Sequence, residues 1–285
     1  MSIKFRWLGN AGFEIILPSG RVLVLDPYMD EAPNAPFKSD EITGADYIVL
    51  THGHFDHCSD AGKLALKFNS RVICSREIAP SITDFFGLDE NRVIKVSAGD
   101  VVDFDDISIE VLRSIHASTA RMMKATYQRL VGEAPPPEMP LNEITKIIRE
   151  LSPPRESQPD DIRTRMNAAG IAGGEQLSFI FRTSDNLRTY VYSANPEDYL
   201  RRQITEVKPN IAFIQLTARP ERVAEIAALS GAEIIIPTHH DMQGPDARHK
   251  SVEEMAAALK EKSPAQVIDT EYGKWYEVGV KITPD

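Results

Sequence analysis

Cysteine is nearly absent from this chain, which has only Cys58 and Cys74 among its 285 residues. Two cysteines cannot form the disulfide framework that many small secreted domains use in place of a large core. No apolar run approaches the roughly 20 residues that a membrane-spanning helix needs, and the start of the sequence lacks the apolar stretch of a secretory signal. We therefore expect a cytoplasmic protein with no membrane partner.

Positive charge is also scarce, because 42 acidic residues outnumber 32 basic ones and give a net charge of −10. Binding to a nucleic-acid backbone draws on clusters of Lys and Arg. Nucleic acid is thus disfavoured, and a small-molecule substrate is the expected partner. The composition is otherwise that of an ordinary globular protein, 42% hydrophobic and 26% charged, which is long enough to bury a large core.

Short apolar or alternating runs between turn residues predict a protein rich in β-strands. The predicted strands are 3–8, 13–17, 22–25, 47–50, 71–74, 93–96, 101–104, 107–112, 177–182, 189–193, 211–215 and 233–236. Helical spacing follows Ser59, a candidate cap, and recurs after a capping box formed by Ser251 and Glu254. Many strands with helices between them predict sheets packed face to face with helices outside.

The pattern changes between about residues 118 and 175, where three prolines occur at 135–137 and a helical apolar stripe runs from Ile144 to Leu151. We interpret this stretch as a helical and loop insertion within a single domain spanning residues 1–285. The stripe would pack on the body of the domain or on a second copy of the chain. A homo-oligomer is thus one of two interpretations.

The densest concentration of reactive side chains is His52-Gly53-His54-Phe55-Asp56-His57, which holds three of the seven histidines. His52 and His54 are two residues apart at the end of a predicted strand, so their rings can lie on the same side of the backbone. Imidazole nitrogen and carboxylate oxygen are ligands that zinc and similar divalent metals prefer. The spacing predicts a divalent metal site, and a polar loop arising by chance is the weaker alternative.

Three further histidines, His116, His239 and His240, each come shortly after a predicted strand. Ligands gathered from several strand ends let a rigid scaffold position a metal. Any one of them alone would more often be a hydrogen-bonded structural residue. His249 lies in a polar stretch and is expected on the surface, outside the site.

The pattern His52-x-His54-x-Asp56-His57, with a lone histidine downstream and a final Pro-x-His, resembles the metallo-β-lactamase superfamily. Residues 7–14 and 25–28 are similar to the branch that contains L-ascorbate-6-phosphate lactonase. The resemblance implies an α/β fold, a four-layer αββα sandwich of two mixed sheets flanked by helices.

The resemblance also implies roles for individual residues. The first metal site would use His52, His54 and His116, and the second would use Asp56, His57 and His239. Asp26 matches a family position that supports the ligands through hydrogen bonds, although capping the turn before Pro27 would explain it too. His240 would be an adjacent residue that contacts substrate, with simple packing as the equal alternative.

One departure from the family concerns the residue that bridges the two metals. The family usually has an Asp at the end of a strand where this chain has Asn195. A neutral amide oxygen is a poorer bridge than a carboxylate, so the second ion would bind more weakly or not at all. Asn195 could equally belong to a turn, and Asp198 could supply the carboxylate. We expect one or two divalent ions, zinc as the first choice and manganese as the second.

A divalent ion lowers the pKa of a bound water from about 16 to near 7. We therefore predict a metal-dependent hydrolase that uses a metal-bound hydroxide, with Asp56 orienting or deprotonating the water. The branch resemblance favours lactonase-like ester hydrolysis of a small polar or anionic substrate. Arg121, with Lys124 and Arg129, could hold an anionic group or form a solvated helix face. The alternatives are a phosphodiesterase and a metal-binding protein whose catalysis is impaired by Asn195.

Overall fold

The computed structural model describes residues 2–33, 35–115, 123–124, 127–128, 130–151, 161–171, 173–193, 200–217, 219–241 and 245–279. The chain divides into two compact units. Residues 1–115 and 162–285 form the first unit, and residues 116–161 form the second. In the second unit the structure describes a helix, α4 (Leu141–Leu151), at the predicted apolar stripe.

The first sheet contains seven strands. They are β1 (Ser2–Gly9), β2 (Gly12–Ile16), β3 (Val22–Leu25), β4 (Tyr47–Val49), β5 (Arg71–Ser75), β6 (Val93–Val96) and β14 (Trp275–Gly279). Their order is β14-β1-β2-β3-β4-β5-β6. The pairings from β14 to β3 are antiparallel and those from β3 to β6 are parallel.

The second sheet also contains seven strands. They are β7 (Val101–Asp103), β8 (Ile107–Arg113), β9 (Leu177–Thr183), β10 (Arg188–Tyr192), β11 (Ile211–Gln215), β12 (Ile234–Thr238) and β13 (Gln266–Val267). Their order is β13-β12-β11-β10-β9-β8-β7. Here too, three antiparallel pairings, from β7 to β10, are followed by three parallel ones, from β10 to β13. Both sheets are therefore mixed and have the same sequence of pairings.

The core between the sheets takes alternate residues from each strand, because successive side chains of a strand point to opposite faces. Tyr47 and Val49 of β4 pack there with Phe213 of β11, while Ile48 between them packs on the outer side of the first sheet. Strands buried on both faces read as continuous apolar runs. This is why β4 and β11 have no polar alternation.

Helices cover the outer face of each sheet. The first sheet carries α2 (Ala61–Phe68), α3 (Ala79–Phe86) and α5 (Ile162–Ala168), and the second carries α6 (Arg201–Val207), α7 (Pro220–Ser230) and α8 (Pro245–Lys260). A four-residue helix, α1 (Phe55–Cys58), contains part of the histidine cluster. The layers are helix, sheet, sheet and helix, which confirms the predicted αββα sandwich.

Some local predictions were wrong. Ser59 ends α1, and α2 begins after Asp60, while Ser251 lies inside α8 and not at its start. The second unit ends at residue 161, because Ile162 and Met166 of α5 join the core on the outer side of the first sheet. The single domain with an insertion at 118–175 stays a prediction. None of the described helices has the length and hydrophobicity that crossing a bilayer requires.

Candidate metal centre

The cluster His52 to His57 lies on the loop that leaves β4 and on the first turn of α1. A strand that ends in the core sends its next residues to the edge of the sandwich, so polar side chains can follow an apolar run directly. His52 and His57 are buried, whereas His54 and Asp56 are partly exposed. The cluster is therefore shielded from solvent at His52 and His57 and accessible at His54 and Asp56.

Hydrogen bonds fix which nitrogen of His52 faces the other histidines. The Thr51 hydroxyl donates to Asp26 Oδ2 at 2.7 Å, so at 3.0 Å from His52 Nδ1 the Thr51 oxygen accepts the imidazole proton. The lone pair of His52 is then on Nε2, which lies 3.0 Å from His54 Nδ1. Two imidazole nitrogens at this separation can ligate one ion.

Asp26 orients His57 in the same way. Its Oδ2 lies 2.8 Å from His57 Nδ1, and its Oδ1 accepts a bond of 2.8 Å from the Thr51 backbone N–H. With the proton on Nδ1, His57 Nε2 points towards Asp56 Oδ2 at 3.9 Å. A carboxylate that holds the far nitrogen of a histidine is the usual support for a metal ligand. The expected supporting role of Asp26 thus has the required geometry.

His239 reaches the cluster from the other sheet. It follows β12 directly, with a left-handed φ of 57°, and its Nε2 lies 3.6 Å from Asp56 Oδ2. One ligand atom each from Asp56, His57 and His239 all lie within 4.8 Å of one another. The second predicted group of ligands is therefore brought together from two sheets.

The charges of this group are complementary. Burial alone would raise the pKa of Asp56, but its hydrogen bond with His239 and the charges of His57 and His239 hold the pKa well below the usual value. Burial would lower the pKa of His57, yet the Asp26 carboxylate raises it. A metal ion competes with protons for the lone pairs of such groups. The clustered, largely buried nitrogen and carboxylate donors fit a divalent ion such as zinc.

His240 has a different environment from His239. Its ring is 1% exposed and stacks on Trp7 at 5.1 Å between centroids, with Tyr272 stacked on Trp7 as well at 4.3 Å. Burial, with the charge of Arg248, lowers the pKa of His240 to about 4. These contacts favour packing over the substrate contact proposed for His240. As expected, His249 lies on the surface, and it pairs with Asp269.

The remaining predicted site residues, His116, Arg121, Asn195 and Asp198, lie outside the described residues. Two further neighbours of the cluster, Thr51 and Gly173, were not among the predicted site residues. Gly173 has a φ of 99°, accepts a bond from Gly53 N–H, and lies so near His54 that a Cβ would be 3.3 Å from Nε2. A glycine after a proline-rich stretch is only a weak sequence signal for such a contact, because the sequence does not show its φ.

Comparison with known proteins agrees with this geometry. Residues 14–122 match the family model of the metallo-beta-lactamase superfamily. The superfamily resemblance expected from the histidine cluster is thus confirmed, and the described fold is that of its members. The narrower lactonase-like branch stays a prediction.

Similar sequences occur in archaea and bacteria. A protein of Sulfolobus acidocaldarius named UPF0173 metal-dependent hydrolase is 32% identical over 118 residues, which are 40% of this chain and 51% of that protein. A protein of Myxococcus xanthus with the same name is 34% identical over 113 residues, 40% of this chain and 39% of that protein. The matches thus span about half or less of these relatives.

Solved structures show the same fold over nearly the whole chain. Igni18, described as a metallo hydrolase of Ignicoccus hospitalis, has a TM-score of 0.68 at 15% identity and covers 99% of this chain and 100% of its own. A protein of Parabacteroides distasonis described as a putative metal-dependent hydrolase has a TM-score of 0.59 at 14% identity, covering 94% of both chains. At such identities the likeness concerns the fold alone.

Proposed function

We propose that this protein is a metal-dependent hydrolase that acts on a small polar or anionic molecule. The observation that carries the proposal is the convergence of Asp56, His57 and His239 from two sheets onto one point. His52 and His54 lie beside them, with 4.1 Å between the ring centroids of His52 and His57. The names of the sequence relatives support the same reaction class.

Some residues of the centre would bind a cation, and others would orient the ligands or the attacking water. His52 Nε2 and His54 Nδ1 would hold one ion, completed by His116 as the resemblance implies, and Asp56, His57 and His239 would hold another. A divalent cation there supplies Lewis acidity and activates a water molecule for attack. Asp26 and Thr51 keep the imidazole protons away from the ligand nitrogens.

Asp56 is better suited to orient the attacking water than to remove its proton. Proton transfer is efficient when the pKa of the base lies near the working pH, and a carboxylate whose lone pairs are shared with a cation is a weak base. We therefore propose that Asp56 ligates a metal and accepts a hydrogen bond from the attacking water. Of the two roles expected from the sequence, orientation is the one its surroundings favour.

The proposed bond is an ester or lactone, and zinc is the proposed metal with manganese as the second choice. The choice of bond rests on the similarity of residues 7–14 and 25–28 to the lactonase branch. The choice of zinc rests on the nitrogen and carboxylate ligands. Turnover of bis-aryl phosphates but of no lactone by the metal-loaded protein would replace it with a phosphodiesterase. If the protein binds metal without turnover and the Asn195→Asp variant gains activity, the result would support a metal-binding protein whose catalysis is impaired by Asn195.

The first test is elemental analysis of protein purified without chelator, followed by assay on a lactone panel. We expect one or two divalent ions per chain. His239→Ala should lower both metal content and kcat/KM, the latter by at least about 100-fold, because ligand loss disrupts the attacking water as well as the ion. His249→Ala is the matched control and should keep both within twofold. Wild-type protein that neither contains nor binds a divalent metal would refute the proposal.

A further inference from the structure

Asn10 contacts the candidate metal centre, although it is not one of the proposed metal ligands. It lies in the turn between β1 and β2, is buried, and has a left-handed φ of 48°. Its Nδ2 lies 2.6 Å from the backbone oxygen of Asp56 and 3.2 Å from Asp56 Oδ2. Both of these atoms accept hydrogen bonds, so the amide nitrogen, and not the amide oxygen, must face them.

The oxygen that Asn10 contacts is the one that faces the histidines. Asp56 Oδ2 is also the atom 3.9 Å from His57 Nε2 and 3.6 Å from His239 Nε2. Two donated bonds, one to the backbone and one to the carboxylate, leave the Asp56 side chain little freedom to rotate. The carboxylate is thereby held in the orientation that a ligand needs.

The backbone of Asn10 holds the opposite side of the centre. Its carbonyl oxygen accepts a bond of 2.8 Å from the His239 N–H and one of 3.0 Å from Trp7 Nε1. Its own N–H donates to Asp241 Oδ2 at 2.9 Å. One turn residue of the first sheet is thus bonded to ligands that follow β4 and β12. Left-handed non-glycine residues, here Asn10 and His239, persist where the surrounding structure over-determines them.

We propose that Asn10 is a positioning residue that fixes Asp56 as a metal ligand and sets its distance from His239. The inference rests on the proposed metal centre and extends it by a residue with no ligating role. Because the amide is neutral and donates to Oδ2, it orients the carboxylate without adding to or cancelling the charge presented to the cation. Partners of this kind typically account for about 10- to 100-fold in metal affinity.

Asn also favours left-handed turns for local reasons, so the test must separate the two roles. Asn10→Gly keeps the left-handed backbone accessible and removes only the side chain. The matched control is Asn186→Gly, an exposed turn residue with φ of 65°. Affinity for Co²⁺ is measured in competition with a chromophoric chelator. We expect about a 10- to 100-fold loss for Asn10→Gly, with a changed Co²⁺ absorption spectrum, and none for Asn186→Gly.

The decisive comparison is a double-mutant cycle with Asp56→Asn. If Asn10 acts through the carboxylate, Asn10→Gly should change Co²⁺ affinity by less than about threefold in the Asp56→Asn background. Equal losses in both backgrounds, or no loss in the wild-type background, would overturn the inference. Failure of the wild-type protein itself to bind Co²⁺ would instead defeat the proposed metal centre.

A measurement on the wild-type protein covers the case in which Asn10→Gly does not fold. The side-chain amide of Asn10, observed by NMR after selective ¹⁵N labelling, should exchange slowly with solvent and shift when Zn²⁺ is added. An amide that exchanges freely and does not respond to Zn²⁺ would contradict the proposed bond to Asp56.

Discussion

Two buried aspartates, Asp26 and Asp60, differ in the hydrogen bonds that their carboxyl groups accept and in the effect of their surroundings. Asp26 accepts bonds from the Thr51 backbone, the Thr51 hydroxyl and His57, so its charge is used to orient a ligand. Asp60 accepts bonds from the backbone N–H groups of Met29 and Asp30. Burial, together with the nearby Asp30 carboxylate, nevertheless raises the pKa of Asp60 to about 6. The position of Asp60 thus costs stability once its carboxyl group ionises.

The raised pKa of Asp60 predicts a specific pH dependence of stability. The folded protein binds this proton more tightly than the unfolded chain, whose Asp pKa is near 3.9. The resulting stabilisation is complete below that value and is lost as pH rises through about 6. Over this window it amounts to about 2 to 3 kcal/mol. Asp60→Asn keeps an acceptor for both N–H groups and removes the titration.

Chemical denaturation in the presence of chelator, at several values between pH 4 and 7, measures this effect. The difference in unfolding free energy between Asp60→Asn and wild type should move in favour of the variant as pH rises. Asp105→Asn changes a carboxylate that is 97% exposed and should show a flat difference. A flat difference for Asp60→Asn would mean that its pKa is not raised in the folded state.

Sequence reveals a site residue when its partners are close along the chain. Four candidate ligand side chains within six residues predicted the cluster at His52 to His57 because one loop carries them all. Asn10 could not be found in this way, since its partner Asp56 is 46 residues distant and the contact depends on how two loops meet. The hydrogen bonds of Thr51 with His52 and Asp26 can likewise be recognised only when the structure gives the orientation of the rings.

Elements show the same dependence on context. The strand β14 was missed because it is an edge strand with little alternation, and Trp275 is exposed. The helix α3 was missed because it contains Pro80 in its first turn, where the missing N–H costs nothing. Buried strands such as β4 were found because both faces need apolar residues.

The contact between α2 and α3 is set by a helical glycine. Gly62 lies within α2, and a Cβ at this position would overlap the Cβ and ring of Phe86 at the end of α3. Glycine lowers helix propensity by about 1 kcal/mol relative to alanine, and it occurs here where the two helices approach closely. A larger side chain at residue 62 would require Phe86 to move.

This balance predicts that the effect of Gly62→Ala changes sign with its neighbour. In the wild-type background we expect a destabilisation of about 1 to 2 kcal/mol, because overpacking exceeds the gain in propensity. In a Phe86→Gly background both the Cβ and the ring of residue 86 are absent, and the same substitution should stabilise by up to about 1 kcal/mol. Urea denaturation of the four proteins gives both values. A stabilising effect of Gly62→Ala in both backgrounds would show that Phe86 moves aside without cost.

At the scale of the whole molecule, the two sheets have the same order of pairings although the sequence shows no repeat. Each proceeds from three antiparallel to three parallel pairings. The candidate ligands follow a parallel strand in each half, β4 for His52 to His57 and β12 for His239. A fold that places such loops side by side can build a centre from residues 182 positions apart in the chain.

A metal held by both halves should link the sheets and stabilise the fold. Binding to the folded state alone contributes about 4 kcal/mol when free metal exceeds its Kd by 1,000-fold, or roughly 10 °C in Tm for a domain of this size. Chelation of the wild-type protein should therefore lower Tm by that amount. His239→Ala should lose most of the metal-dependent shift, because the second sheet no longer contributes this ligand, whereas His249→Ala should retain it. If His239→Ala gave the full shift, the ion would be bound by the first sheet alone, and the centre would not join the two halves through His239.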